Sequence, residues 1–227
     1  TLSDYRPTFF LPTSVTQIFF GLVQKPLPFS LITNPLELSD GEQINLEWYP
    51  SNYSNMDPKT PIIIVVLGAC GSSSDNYVTR LISQIKDRKW RTVIVNRRGF
   101  ANQTLKANRF MHDNENEDLQ EAIKYISEEF SKSPLYLIGI SAGANNTARH
   151  LGIQGTDTPI RAYVSISNPF NLGRVSYSAQ FEFWGRIFSF LIAKSFKKIV
   201  ENHLLNAKMQ SFVRKNFHDV DHVIREV

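Results

Sequence analysis

The chain has 227 residues, 42% hydrophobic and 20% charged, the balance of an ordinary globular domain whose core is large enough to stand without staples. A net charge of +4, with basic residues scattered apart from Arg97-Arg98 and Lys197-Lys198, is too small to argue for nucleic acid, and a single cysteine, Cys70, excludes an intrachain disulfide framework. No stretch approaches the roughly 20 apolar residues of a membrane span. No phosphate loop, zinc spacing or calcium loop occurs, so neither a metal nor another cofactor is expected.

Residues 1–33 are rich in proline and aromatics, with one short amphipathic stretch, Ser14 to Val23. Phe9, Phe10, Ile18, Phe19 and Phe20 are costly to leave in water, which predicts an N-terminal arm packed on the core. A helix lying on a membrane surface is the competing reading. Two strands follow, Leu36–Leu38 and Gln43–Trp48, joined by Ser39-Asp40-Gly41-Glu42, and Asp-Gly between alternating apolar runs is the signal of a tight hairpin. Ser51 to Thr60 is a polar, turn-rich connection.

From Pro61 the pattern changes. Ile62–Leu67 is a continuous β-branched run, the mark of a central strand buried on both faces. Asn76–Lys86 has helical spacing with Tyr77, Leu81, Ile82 and Ile85 inward, Thr92–Val95 is a second buried strand, and Glu117–Phe130 is a helix with Leu119, Ala122, Ile123 and Ile126 on one stripe. A strand at Leu135–Ile138, a helix and a strand at Ala162–Ile166 complete the alternation. Residues 34–171 therefore read as a mostly parallel, doubly wound α/β sheet that starts with an antiparallel hairpin. Beyond Phe170 no strand candidate appears, and residues 172–227 read as an incomplete helical cap, or lid. Its aromatics, Phe181, Phe183, Trp184, Phe188, Phe190 and Phe196, sit among Lys194, Lys197 and Lys198. Core packing is the plain reading for any one of them, a cap facing an apolar substrate the reading for the segment.

The chemistry concentrates in Pro134 to Leu151. Gly139-Ile140-Ser141-Ala142-Gly143 is G-x-S-x-G between a strand and a helix, the context in which this motif forms a nucleophile elbow. The turn is so tight that positions two before and two after the serine must lack bulk, a demand that Gly139 and Gly143 meet. Ser141 would stand with its hydroxyl exposed above a helix N-terminus, whose partial positive charge favours the anion formed when a serine attacks a carbonyl. Acyl transfer also needs two backbone N–H donors, one on the loop after the central strand and one on the residue following the nucleophile. Those would be Ala69, in Gly68-Ala69-Cys70-Gly71, and Ala142. Cys70 reads as a small buried residue. None of the five histidines, His112, His150, His203, His218 and His222, follows a strand after Ser141, and the loop after Ile166 carries no carboxylate. Asp219 and Asp221 lie beside His218 and His222 on what reads as one helix. All of these read as structural or solvated, and Glu115-Asn116-Glu117-Asp118 as charge at a helix start.

Several segments together resemble the AB hydrolase 4 family, which includes YheT-type esterases and eukaryotic α/β-hydrolase-domain lipases. They are Tyr5-Arg6-Pro7-Thr8, Asp40-Gly41 through Glu47-Trp48, Gly68 to Ser72, Asn96-Arg97-Arg98-Gly99, Glu117-Asp118-Leu119, Gly139 through Asn145, and Ser165-Ile166-Ser167-Asn168-Pro169-Phe170. The resemblance implies an α/β-hydrolase fold and a serine hydrolase acting on a small acyl ester or a lipid. It also implies membrane association, because eukaryotic members often carry an anchoring helix upstream of the matching region, here before Thr1. Leu67 and Ala144 depart from the family pattern tolerably. The larger departure is that the chain stops inside the cap, before the strands that bear the family's Asp and His. The leading expectation is thus a serine esterase or lipase represented by its N-terminal two-thirds, with the acid and histidine of the triad outside this chain. The alternative is a non-catalytic α/β-hydrolase scaffold serving as a subunit of a larger assembly.

Overall fold

Five β-branched residues form the centre of the molecule. β3 (Ile62–Val66) is buried at every position, flanked by parallel partners β4 (Arg91–Val95) and β5 (Leu135–Ile140). In the computed structural model, which describes residues 6–101, 103 and 115–203, these belong to a six-stranded sheet. Its order is β1-β2-β4-β3-β5-β6, with β1 (Ile32–Glu37), β2 (Gln43–Tyr49) and β6 (Ile160–Ile166). β1 and β2 are antiparallel to each other, and β2 to β4; the remaining pairs are parallel.

Because side chains alternate along a strand, β3 divides its residues between two cores. Ile62, Ile64 and Val66 meet Leu119, Ala122, Ile123 and Ile126 of α3 (Glu115–Glu129) on one face. Ile63 and Val65 meet Val78, Ile82 and Ile85 of α2 (Asn76–Lys86) on the other. Val78, and not Tyr77, fills the inner stripe of α2. Beyond β5 the chain enters α4 (Ala142–Gln154), crosses to β6, and continues into the helices α5 (Leu172–Phe181) and α6 (Phe183–His203), the last of the described elements. β6 forms one edge of the sheet, with Val164 and Ile166 exposed.

Three expectations need correction. β1 begins at Ile32 and not Leu36; as an edge strand it is largely exposed and accepts Pro35, which hides it from pattern reading. The arm contains α1 (Ser14–Val23), capped by Thr13 and Thr16, but Phe9, Phe10, Ile18, Phe19 and Phe20 are exposed. The arm is held mainly by its second half. Leu27 N–H donates to Thr79 Oγ1 at 3.0 Å, Phe29 meets Tyr49 edge to face, and Asn76 donates to the Gly21 carbonyl at the end of α1. In α6 the buried stripe is Ser189, Ala193 and Phe196, at i, i+4 and i+7, so Phe196 is core while Phe181, Phe183, Trp184 and Phe190 are exposed.

One buried cation ties the hairpin to the helical layer. Arg98, just past β4, donates through Nε and Nη2 to both carboxylate oxygens of Asp118 on α3, at 2.6 and 2.7 Å, and through Nη1 to Asp40 in the β1–β2 turn at 2.6 Å. These two carboxylates raise the guanidinium pKa above its ordinary value, against the effect of burial. Removing one partner of such a buried network leaves uncompensated charge. Arg98→Met is expected to cost about 3–5 kcal/mol in urea unfolding, a loss that a surface ion pair would not produce.

Candidate active site

β5 passes into α4 through a single residue in a left-handed conformation. Ser141 has φ 56° and ψ −122° and is exposed. A non-glycine residue in such a conformation costs on the order of 1–3 kcal/mol and persists only where its surroundings fix it. Here they do. The Ser141 N–H donates to the Ile166 carbonyl at 2.8 Å, and the Ser141 carbonyl accepts from Ala144 N–H at 2.9 Å and Asn145 N–H at 3.2 Å.

The neighbouring glycines are dictated by space. A Cβ at Gly139 would lie 2.1 Å from Thr147 Oγ1 and 2.6 Å from Ala144 Cα, and one at Gly143 would lie 2.4 Å from the carbonyl oxygens of both Leu67 and Val66. The first turn of α4 therefore sits directly on the end of β3. Buried Thr147 reinforces it by donating to the Gly143 carbonyl at 2.8 Å, and the Tyr163 hydroxyl and Asn168 side chain of the β6 side donate to the Ala144 carbonyl at 2.8 and 3.2 Å.

The loop after β3 closes on the same point. A Cβ at Gly68 would stand 2.9 Å from Ser141 Cβ and 3.4 Å from its Oγ. Gly68 is the residue that sequence reasoning quoted but did not single out; only this contact across the sheet marks it. Gly71 N–H donates back to the Gly68 carbonyl at 3.1 Å, Cys70 takes φ 59°, and Ala69 between them is exposed. Asp75 secures the far side of the loop by accepting the Ser72 N–H at 2.9 Å. Its carboxyl pKa is raised by burial, and the Tyr77 phenol is pushed up to about 12 by burial and then by Asp75. Burial also pushes the Cys70 thiol up to about 11, and its Sγ lies 3.8 Å from the Ile192 carbonyl of α6. Cys70 is thus a protonated packing group that touches the cap helix.

The structure brings Gly68, Ser141 and Gly143 into contact, with Ala69 and Ala142 as chain neighbours of that contact. At N1 of α4, the Ala142 N–H has no carbonyl partner within its own helix. His150 does not join them. It lies nine residues along α4, roughly 13 Å by helical rise. It is 2% exposed, and its Nδ1 has no hydrogen-bond partner. The side chain of His203 lies outside the described residues, as do His112, His218, His222, Asp219 and Asp221. Asp118, read from sequence as charge at a helix start, is engaged by Arg98. Among the described residues no three His, Cys, Asp or Glu side chains cluster to hold a metal ion, and no helix is long and apolar enough to cross a membrane.

A family described as the alpha/beta hydrolase fold matches residues 61–213. The chain belongs to the alpha/beta hydrolase fold family. The relatives of this hydrolase-fold chain agree with the AB hydrolase 4 resemblance. It is 28% identical to YheT of Escherichia coli over 86% of its own length and 53% of that protein. It is 27% identical to human phospholipase ABHD3 over 90% of its length and 49% of that protein. A monoacylglycerol lipase of Saccharomyces cerevisiae is 26% identical over 70% of the chain and 37% of the lipase. The chain thus spans about half, or less, of the length of these relatives. Among solved structures, the Pyrococcus furiosus esterase Pf2001 superposes with a TM-score of 0.54 over 86% of this chain and 66% of that one, at 17% identity, a likeness of fold.

Two expectations follow from the geometry. Gly143→Ala must displace α4 from β3, so it should lower stability by about 1–3 kcal/mol in urea unfolding and perturb the Ser141 turn. Burial lowers the His150 pKa from its ordinary 6.5. The unfolded chain therefore takes up a proton that the folded chain resists. Stability present above pH 6.5 is lost as pH falls through that value towards the lowered folded pKa. His150→Leu should give a shallower decline between pH 7 and pH 5; an unchanged slope would refute this assignment.

Proposed function

We propose that this chain is the core of a serine hydrolase that cleaves acyl esters, with Ser141 as nucleophile on a G-x-S-x-G elbow. The observation that carries the reading is Ser141 itself, exposed at φ 56° between β5 and α4 with Gly68 packed against it. Positive φ at this one residue lifts the hydroxyl clear of the strand, while the N-terminus of α4 lies behind it.

In the reaction proposed, a base takes the Ser141 proton as Oγ attacks the ester carbonyl carbon. The resulting oxyanion is held by the N–H groups of Ala69 and Ala142, each donor contributing on the order of 3 kcal/mol of transition-state stabilisation. The tetrahedral intermediate collapses, the alcohol leaves with the proton from the base, and water then releases the acid from the acyl-serine. Gly139 and Gly143 keep the turn narrow enough for this geometry. The base and its orienting carboxylate come from outside the described residues, since His150 is enclosed and remote from Ser141. A lipid or other acyl ester at a membrane is the substrate class that the phospholipase and monoacylglycerol lipase relatives favour. No cofactor takes part.

A fluorophosphonate probe should label the full-length protein, and Ser141→Ala should abolish labelling and lower kcat on a soluble p-nitrophenyl ester by up to about 10⁶-fold. Undiminished labelling of the variant would show a different nucleophile. A folded wild-type protein that is never labelled would favour the non-catalytic scaffold.

A further inference from the structure

We propose that Asp75 and Tyr77 are positioning residues for the oxyanion donor: they hold in place the strained turn that carries the Ala69 N–H. The geometry stands by itself; the purpose given to it rests on the ester-hydrolase reading.

Gly68 to Gly71 is a four-residue turn, closed by the Gly71 N–H donating to the Gly68 carbonyl at 3.1 Å. Its central residues are Ala69 and Cys70, and of the two only Cys70 is at positive φ, 59°. That combination is a type II turn, which ordinarily takes glycine at its second central position. Cys70 carries a Cβ there, so the turn is strained and lasts only where its surroundings hold it. The bond that closes the turn uses the Gly71 N–H and leaves the Ala69 N–H outside it. At its start the turn is fixed by Gly68, packed so closely on Ser141 that a Cβ there would stand 2.9 Å from the serine Cβ.

The start of α2 fixes the other end. Asp75 is the N-cap residue of α2, and its carbonyl accepts the N–H groups of Val78 and Thr79, each at 3.0 Å. Its carboxylate makes no cap bond to its own helix. It turns to the loop instead, where Oδ2 accepts the Ser72 N–H at 2.9 Å, while the Asp75 N–H donates to the Ser72 carbonyl at 3.0 Å. Ser72, next in the chain to the residue that closes the turn, is thus gripped by two bonds. Tyr77 acts on that closing residue directly. Its ring is 42% exposed, yet its hydroxyl is turned inward, where a Cβ at Gly71 would lie 2.9 Å from the oxygen. The same hydroxyl faces the Asp75 carboxylate and favours its ionised form. A tyrosine placed for packing would enclose its ring; this one leaves much of the ring in water and encloses the oxygen. Without that oxygen a gap opens beside Gly71 and Asp75 loses a donor, and both changes loosen the turn.

Complete loss of one oxyanion donor costs about 10²–10³-fold in kcat, so displacing the donor without deleting it should cost less, about tenfold. The test uses the full-length protein and a soluble p-nitrophenyl ester. Tyr77→Phe and, separately, Asp75→Asn should each lower kcat about tenfold while KM changes by less than about twofold. Affinity for a trifluoromethyl ketone, whose serine adduct carries an oxyanion, should fall by the same factor, and the double variant should lose less than the product of the two. Exchange of the Gly71 amide hydrogen should quicken about tenfold in both variants, a readout that needs no turnover. A raised KM with kcat unchanged, or ketone affinity and Gly71 exchange at their wild-type values, would each overturn the proposal. If the wild type turns over the ester through Ser141 and both variants match it, this inference alone falls. If Gly71 exchange quickens in a protein whose ester turnover survives Ser141→Ala, the brace on the turn stands and the hydrolase reading falls.

Discussion

Three glycines govern how closely three segments approach. Gly139, Gly143 and Gly68 stand where the end of β5, the first turn of α4 and the loop after β3 meet, and at each a single Cβ would come within 3 Å of a neighbour. Interiors tolerate so little overlap that the contact works only without side chains. Everything at the candidate site inherits its position from this convergence. Ser141 is held at positive φ because its N–H is fixed to β6 and its carbonyl to α4, and the Gly68 loop has no other course because β3 ends beneath α4.

The same β3 explains why so much of the fold could be read from the sequence. A strand buried on both faces needs apolar residues without interruption, and Ile62 to Val66 gives that signal undiluted. α2 was legible to its boundaries because its apolar residues recur at helical spacing. The candidate site was legible for a related reason: a turn that excludes side chains must be written in small residues, as Gly139 through Ala144 are. Gly68 escaped because its partner, Ser141, lies far along the chain.

What failed to be legible was tertiary in origin. Asp40 looked like a turn residue and Asp118 like helix-start charge, and both descriptions are locally correct. Nothing local says that Arg98 reaches both. In the arm and in α6, the aromatic residues gave no indication of which would be enclosed. Hydrophobicity alone predicts burial, yet the residues that α6 buries include Ser189 and Ala193, chosen by which side of the helix is enclosed and not by their apolarity. β1 was shortened because an edge strand needs no apolar alternation and accommodates Pro35.

The Arg98 clasp also bears on how this chain tolerates change. Arg98, just past β4, and Asp118, in the first turn of α3, grip each other across the chain that joins them. Once both ends of a loop are fixed in this way, lengthening it costs only the slowly growing entropy of closure, about 0.6 kcal/mol for each doubling. The sheet and α3 do not have to move to accommodate added residues. The clasp therefore holds the distance from β4 to α3 by its own bonds, whatever length of chain joins them.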